Sequence, residues 1–258
     1  MEIKFDKVFY KNKLINTTLT IDDHKINGIY NYNNFLKVLL NPMLIEKGHI
    51  FINGKSYKKI EPKKIAIIDK NKPFYTARVI DEILFSAKIR NYKSSHINKE
   101  INDLLEAFNL DKSILKRIDH SLSETEKYFI KIVSSLIYKP QIVIFKDIMN
   151  GMDYNNRKLI KRIINILKEK EILVIVTSMD SNILYELTEE LFIFDKGKLL
   201  VSGNTFDIYS NIEILMDNNI DIPYFSKLTY KANKEKNANL FYRKDVRDVI
   251  KDVYKSVS

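Results

Sequence analysis

The stretch Lys139–Asp153 reads KPQIVIFKDIMNGMD, and it decides the fold of this chain. It contains the apolar run Ile142–Phe145, and a second such run, Leu173–Thr177, follows after a helix-like segment from Arg157 to Lys168. Apolar strands that alternate with helices indicate a mainly parallel sheet that is covered on both faces. The sequence therefore predicts an α/β protein.

Further strands are expected on both sides of this central stretch. Towards the N-terminus the strand-like segments are Ile3–Phe5, Leu19–Ile21, Ile26–Tyr30 and Ile65–Ile68, and His49–Lys55 is a strand that runs into a turn at Asn53-Gly54. Between Thr76 and Lys139 the pattern is helical instead, with apolar residues spaced along one helix face. Near the C-terminus, Leu191–Phe194 and Lys198–Val201 flank a turn and predict a hairpin.

Composition limits the class of protein. The chain has 258 residues, 45% of them hydrophobic, and no cysteine, which fits one large packed domain, or one domain plus a tail, in the cytoplasm. We expect no secretory signal and no membrane-spanning segment. The net charge of +10 comes from lysines scattered along the whole sequence, so we expect no nucleic-acid partner.

The six glycines lie at turns between the predicted elements rather than in a cluster. They are Gly28, Gly48, Gly54, Gly151, Gly197 and Gly203. None falls in a pattern such as G-x-x-x-x-G-K-[ST], in which backbone amides surround a phosphate group.

Several short motifs follow one another in a recognisable order. They are Leu122-Ser123 after Asp119-His120-Ser121, Lys139-Pro140 before a buried strand, Asn150-Gly151-Met152-Asp153, Asp195–Lys198 with Ser202-Gly203, and Ile220–Pro223 followed by Leu228. In this order they resemble the ATP-binding-cassette (ABC) family over about Met1–Gly203. The C-terminal part resembles the ATPases of energy-coupling-factor (ECF) transporters for vitamins and metal ions.

The resemblance implies a P-loop ATPase core of ABC type, with a mainly parallel sheet and additional antiparallel strands. The core is expected over 1–205, with an inserted helical subdomain at about 76–139. Residues 206–258 are then expected to form a helical tail that interacts with another subunit. In the ECF branch this segment helps to hold two ATPase subunits together.

The resemblance also shows where the phosphate loop is changed. The family has G-x-x-G-x-G-K-[ST] between its first core strand and helix, whereas this chain has Asn31, Tyr32, Asn33 and Asn34. About five residues are missing, including the lysine and the hydroxyl residue. In the alternative alignment Lys37 serves as the phosphate lysine, which places bulky residues where small ones are required.

Four other nucleotide-site positions differ from the family pattern. Lys146 replaces the Walker B aspartate that holds Mg²⁺, and Asp147 replaces the catalytic glutamate. Ser178 stands at the switch histidine, and Lys70 at the Q-loop glutamine. A cation at position 146 repels a metal ion, so we expect that this chain alone neither needs MgATP nor hydrolyses it.

The remaining motif residues are a signature loop, a D-loop and an aromatic. The expected signature loop comprises Leu122, Ser123, Glu124, Thr125 and Glu126, and the expected D-loop comprises Gly151, Met152 and Asp153. The signature serine is kept, but the glutamates replace glycines and the loop has the pattern of a helix capping box. Tyr10 lies where the family often stacks an aromatic ring on adenine, although packing is the other interpretation. The four histidines form no metal-binding pair.

These observations leave three functional hypotheses. The first is a degenerate ATP-binding-type subunit that pairs with an intact ABC ATPase and an integral membrane subunit at the inner face of the membrane. The second is an ATPase with an unusual phosphate loop that still uses MgATP. The third is a soluble scaffold or nucleic-acid binder that exploits the basic charge.

Overall fold

The computed structural model of the chain describes residues 1–58, 61, 64–149, 152–236, 240–243, 247, 248, 250, 251 and 254. Its contacts define two compact units. The first consists of Met1 and Lys59–Ile175, and the second consists of Glu2–Lys58 and Val176–Ser258. The domain boundaries that the sequence predicts rest on motifs rather than on contacts, and they stay predictions.

The first unit combines a parallel strand pair with helices. Strands β6 (Ile65–Asp69) and β7 (Ile142–Lys146) pair in register, so that Asp69 lies opposite Lys146. The helices of this unit are α2 (Val79–Ile89), α3 (Ile97–Ala107), α4 (Glu124–Leu136) and α5 (Tyr154–Glu169). Two 3₁₀ turns, Lys112–Lys116 and Asp119–Ser121, precede α4. Helices α2 to α4 occupy the part of the sequence with the helical pattern.

The second unit contains an antiparallel sheet and a mixed group of strands. The sheet has the order β2-β1-β4-β5, formed by β1 (Glu2–Tyr10), β2 (Leu14–Asp22), β4 (Lys47–Ile52) and β5 (Lys55–Ser56). Strand β3 (Asn27–Tyr30) pairs in parallel with β9 (Glu190–Asp195), which pairs antiparallel with β10 (Lys198–Asn204). Strand β8 (Leu173–Thr177) is buried throughout and has residues in both units.

The helices of the second unit are α1 (Asn33–Leu40), α6 (Ser181–Leu187), α7 (Thr205–Ser210), α8 (Glu213–Asp217) and α9 (Tyr224–Lys236). The predicted α/β class, with parallel and antiparallel strand pairs, is therefore confirmed. Several predicted bounds were wrong. Strands β1 and β2 are much longer than expected, because alternate residues along both strands are buried and pack the core.

Gly28 has a packing role in the middle of β3. A Cβ atom at this position would lie 2.7 Å from the hydroxyl oxygen of Thr188. That hydroxyl donates to the carbonyl of Leu184 at 2.7 Å and lies 3.0 Å from the hydroxyl of Thr205. Gly28 therefore lets a hydrogen-bonded threonine pair approach the strand closely.

The tail helices α7 and α8 pack within the second unit. Tyr209, Ile212 and Leu215 are all buried there, although they belong to the expected subunit-interaction segment. Met216, Tyr224 and Leu228 of the same segment are exposed. Among the tail residues that the structure describes, part of the apolar surface therefore packs on its own unit and part is free to meet another molecule.

Candidate nucleotide-binding site

The connection between β3 and α1 consists of only two residues, Asn31 and Tyr32. Asn31 has a left-handed backbone, with φ of 56°, and its side-chain amide donates to the carbonyl of Phe194 at 3.2 Å. Tyr32 is buried, and its carbonyl accepts the N–H of Leu36 at 2.9 Å as the first helical bond. Asn33 and Asn34 already belong to α1. A link this short cannot wrap around a triphosphate.

The first turn of α1 is filled by an aromatic cluster. Phe35 is fully buried, and its ring lies 4.9 Å from the ring of Phe5 and 6.0 Å from that of Phe194. Lys37 is exposed and is the fifth residue of the helix, about 6 Å along the axis from Asn33. A phosphate lysine must stand at the start of the helix, so this geometry disfavours the alternative alignment.

Lys146 forms an ion pair with Asp69 in the first unit. Its ammonium nitrogen lies 2.9 Å from Oδ2 of Asp69, and the two side chains are 28% and 9% exposed. Burial alone raises the pKa of Asp69, but the hydrogen bonds from Lys146 and from the N–H of Asn71, with the charges of Lys146 and Lys72, outweigh it and lower the pKa. The cation predicted to repel a metal ion has a carboxylate partner of its own.

Two further groups of α4 lie close to this ion pair. The ammonium group of Lys131 donates to the carbonyl of Lys70 at 2.6 Å, and burial lowers the pKa of Lys131 although Asp69 opposes that shift. Tyr128 is fully buried, and burial together with the charge of Asp69 raises the pKa of its hydroxyl. Lys70, the expected Q-loop residue, thus contributes its backbone carbonyl to the cluster.

Asp147 follows β7 directly and has a left-handed backbone, with φ of 51°. This conformation is uncommon for a residue other than glycine, although aspartate tolerates it better than most. The side chain is half-buried. The structure therefore keeps a carboxylate beside Lys146, in a constrained turn.

The signature loop forms the expected capping box at the start of α4. The hydroxyl of Ser123 accepts the N–H of Glu126 at 3.2 Å. Oε2 of Glu126 in turn accepts the N–H of Ser123 at 2.7 Å and its hydroxyl at 2.9 Å. Both donors that Ser123 offers to an anion are therefore already engaged.

Arg117 completes this arrangement. It donates to the other carboxylate oxygen of Glu126 at 2.7 Å and to the backbone carbonyl of Ser121. The N–H of Ser123 is the main cause of a lowered pKa at Glu126; burial opposes it, and the Ser123 hydroxyl and Arg117 reinforce it. An ionised carboxylate thus occupies the N-terminus of α4, where a helix favours negative charge.

The other signature residues are less constrained. Glu124 is 78% exposed and pairs with Lys127 at 3.1 Å. Leu122 is buried, and Thr125 lines a cavity of about 430 Å³ together with Asn155 of α5.

Only part of the expected D-loop can be located, because Gly151 lies outside the described residues. The carboxylate of Asp153 accepts the N–H of Asn156 at 3.0 Å and caps α5, which lowers the pKa of Asp153. The carbonyl of Met152 accepts a hydrogen bond from Arg157 at 3.2 Å. Both residues therefore serve to start the helix.

Ser178 is buried in the second unit. Its hydroxyl accepts the N–H of Asp180 at 3.0 Å, and its own N–H donates to the carbonyl of Ile29 at 3.3 Å. Next to it, Oδ2 of Asp221 accepts the hydroxyl of Ser181 at 2.6 Å and its N–H at 3.0 Å. Asp180 caps α6, and the tail carboxylate of Asp221 binds the first N–H of the same helix, just after the expected position of the switch histidine.

Tyr10, the expected adenine-stacking residue, is buried in the second unit at the end of β1. A ring with so little exposed surface contributes to packing. Among the residues that the structure describes, no three histidine or acidic side chains converge where they could hold a metal ion.

Sequence patterns missed Asp69, Arg117 and Asp221, which hold Lys146, Glu126 and Ser181. Asp69 carried a weak signal, because it ends a buried apolar strand and directly precedes the Q-loop position. Arg117 carried none, and Asp221 lies within the motif Ile220–Pro223 but nothing in that motif indicated its contact with Ser181, which only the fold creates.

Comparison with proteins of known sequence finds ATP-binding proteins of ABC transporters as relatives, although no family model matches the chain. The chain is 29% identical over 234 residues to the ECF transporter ATP-binding protein EcfA1 of Mycoplasmopsis pulmonis, covering 85% of this chain and 87% of that protein. It is 26% identical over 219 residues to EcfA1 of Mycoplasmopsis synoviae, covering 81% and 80%.

Solved structures show the same fold. CbiO1 of Clostridium perfringens, part of the ABC transporter complex cbiONQ, matches with a TM-score of 0.70 and 18% identity, covering 88% of this chain and 98% of that one. The ABC cassette MJ1267 in its ADP conformation matches with a TM-score of 0.70 and 16% identity, covering 85% and 97%.

The chain is thus similar to ATP-binding proteins of ABC transporters, and it has the fold of ABC cassettes. The predicted resemblance, including that to the ECF branch, is confirmed. Within the described part of the chain, no helix is long and apolar enough to cross a membrane.

Proposed function

We propose that this chain is a degenerate ATP-binding-type subunit of an ECF-type importer for vitamins or metal ions. It pairs with an intact ABC ATPase and a membrane-embedded subunit at the cytoplasmic face of the membrane. Its contribution is structural or regulatory, and it binds no nucleotide of its own. No nucleic-acid partner is proposed.

The observation that carries this proposal is the two-residue link between β3 and α1. A phosphate loop needs several backbone amides that point inward and a lysine at the helix start. Here the link is Asn31 and Tyr32, and Phe35 fills the first turn of the helix. Since the loop is missing as well as its lysine, no single substitution can restore it.

The described surroundings of Lys146 also do not fit a bound Mg²⁺. Magnesium takes oxygen ligands from carboxylates, waters and phosphates. Asp69, a possible ligand, already accepts a hydrogen bond from the ammonium group of Lys146 at 2.9 Å. The ammonium group of Lys146 thus places a permanent positive charge next to Asp69, and a metal ion would have to displace this group.

The signature loop supports a second part of the proposal. In the ABC family this loop faces the nucleotide that the partner subunit holds. Here Glu126 engages both donors of Ser123, so an incoming phosphate meets a carboxylate instead of free N–H and O–H groups. We infer that the partner's nucleotide is held with little help from this chain.

Calorimetry on the full chain tests the proposal directly. MgATP is titrated up to millimolar concentration, and metal-free ATP in EDTA serves as the matched titration. We expect no saturable heat in either case, because each lost charge-assisted hydrogen bond costs about 1.5–3 kcal/mol and several are missing. A dissociation constant of tens of micromolar for MgATP would contradict the proposal and favour a working ATPase.

A second measurement tests the assembly. The tagged chain is co-expressed with an intact ECF-type ATPase and its membrane subunit, and the complex is purified without added nucleotide. We expect all three proteins to co-purify. A chain recovered alone would exclude the role of a transporter subunit, even if it fails to bind nucleotide.

A further inference from the structure

The C-terminal part of the second unit contains a groove of about 700 Å³. It lies between α9, the segment Asn219–Ile222 and the end of β3. This volume is within the usual range of small-molecule sites, about 300–1,000 Å³. All of its lining residues belong to one compact unit, and none belongs to the changed nucleotide motifs.

The floor of the groove is apolar and fixed in place. Ile220 and Tyr30 are buried there, and Met216 presents a half-exposed thioether side chain. The N–H of Asp221 donates to the hydroxyl of Tyr30 at 3.4 Å, and the carboxylate of Asp221 is held by Ser181. These hydrogen bonds tie the tail segment to β3 and α6, so the floor is preformed.

One wall is a row of positive charges on α9. Lys227, Lys231 and Lys234 are spaced by four and three residues, which places them on one face of the helix. Within the described part of the chain, the ammonium groups of Lys227 and Lys231 make no hydrogen bond and no ion pair. Lys234 donates to the hydroxyl of Tyr230 at 2.8 Å, and this bond raises its pKa.

The groove carries a net positive charge. Its lining includes the carboxylates of Asp221 and Glu235 besides the three lysines. The Asp221 carboxylate accepts two hydrogen bonds from Ser181 but keeps its charge, so Asp221 and Glu235 both oppose the three lysines, and three positive charges against two negative ones leave one positive charge in excess. Like charges one helix turn apart repel each other, so an anion between Lys227 and Lys231 would relieve that repulsion.

We propose that this groove binds a small organic anion with an apolar body, such as an aliphatic carboxylate. The anionic group lies between Lys227 and Lys231, and the body lies on Ile220 and Met216. The ring of Tyr30 closes the floor. The site is independent of the nucleotide motifs and gives the chain a ligand of its own.

Calorimetry with three probes separates the two contributions. Decanoate carries both the charge and the chain, decanol carries only the chain, and acetate carries only the charge. We expect saturable binding of decanoate to the full chain at a stoichiometry of one, with decanol about tenfold weaker and no saturable heat for acetate. Raising the salt from about 0.05 M to 0.5 M should weaken decanoate binding, because exposed charges are screened.

Variants assign the binding to the groove. Lys227→Gln or Lys231→Gln should weaken decanoate binding about threefold each, and the double variant about tenfold, as for exposed ion pairs. Lys161→Gln, an exposed lysine of α5 in the first unit, is the matched control and should change nothing. All three lysines are on the surface, so thermal unfolding should be unaltered.

Three results would overturn the proposal. The first is the lack of saturable decanoate binding, and the second is equal binding of decanol. The third is an equal loss of affinity in the Lys161→Gln control. Sedimentation of the same samples tests whether a second copy of this chain fills the groove instead. In that case the Lys227 and Lys231 variants lower the sedimenting mass, and decanoate binding is the same with and without these changes.

Discussion

The ammonium group of Lys146 lies 2.9 Å from the carboxylate of Asp69, at the carboxyl ends of two parallel strands. Strands β6 and β7 pair in register, so these two residues are direct neighbours in the sheet. In ABC ATPases a carboxylate at the position of Lys146 helps to hold Mg²⁺. If Lys146 stands at that position, as we propose, its ion pair with Asp69 takes the place of the metal-binding carboxylate.

Removing the lysine should destabilise the protein. Lys146→Met leaves the Asp69 carboxylate largely buried without its main partner, so we expect the free energy of unfolding to fall by about 1–3 kcal/mol. Lys64→Met is the control, because the Lys64–Glu61 pair is exposed and should contribute under about 1 kcal/mol. Urea denaturation measures both.

A double-mutant cycle tests whether the ion pair itself is responsible. Asp69→Asn combined with Lys146→Met should cost at least about 0.5 kcal/mol less than the sum of the single changes. Strict additivity of the single changes would show that the two side chains stabilise the fold separately.

The same ion pair predicts how stability depends on pH. The pKa of Asp69 is lowered from its ordinary value of 3.8, so the unfolded chain binds a proton more readily than the folded one. The stabilisation is complete above pH 3.8 and is lost as the pH falls through the lowered value. The stability difference between the native chain and Asp69→Asn should therefore shrink below about pH 4. A difference that stays constant from pH 6 to pH 3 would contradict this assignment.

Restoring the family's aspartate should not restore the reaction. Lys146→Asp places a second carboxylate beside Asp69, which raises the pKa of one of them by like-charge repulsion. The link between β3 and α1 remains two residues long, so phosphate release from MgATP should stay at background. Turnover above background in this variant would show that the phosphate loop is not missing.

The two signature glutamates should differ sharply in their effect on stability. Glu126→Ala removes a carboxylate that accepts from Ser123 and Arg117, and it should cost about 1–2 kcal/mol. Glu124→Ala removes an equal charge from the same turn, but only an exposed pair with Lys127, and should cost under about 0.5 kcal/mol. Equal costs in thermal denaturation would mean that helix-terminal charge, rather than the capping box, is what matters.

Much of the fold could be predicted from the sequence because its strands are strongly patterned. The runs Ile142–Phe145 and Leu173–Thr177 are buried strands, and the capping box at Ser123 forms as its residues predict. Local patterns of this kind depend on neighbours in the chain. Helix α1 begins at Asn33 although asparagine is a weak helix former, because the buried Phe35 anchors its first turn.

The partners in the candidate site could not be predicted in the same way. Asp69 and Lys146 are 77 residues apart, and only the register of β6 and β7 brings them together. The same holds in the tail, where Leu215 is buried and Leu228 is exposed although both are apolar residues of one charged segment. Whether each of these two leucines packs on its own unit depends on where its helix lies in the fold.

The exposed apolar residues of α9 predict the subunit contact. The side chains of Tyr224 and Leu228 are 69% and 43% exposed and lie one helix turn apart, so they share a face. Because these side chains are already in water, the double change Tyr224→Ser with Leu228→Ser should alter the stability of the isolated chain by under about 0.5 kcal/mol. If the face packs on a partner ATPase, the same change removes apolar area worth about 25 cal/mol per Å² and should sharply reduce co-purification.

Met43→Ser is the control, since Met43 is 81% exposed in the same unit but outside the tail. Full recovery of the partner with the double variant would place the contact elsewhere, and an equal loss with Met43→Ser would show that any exposed apolar residue has this effect.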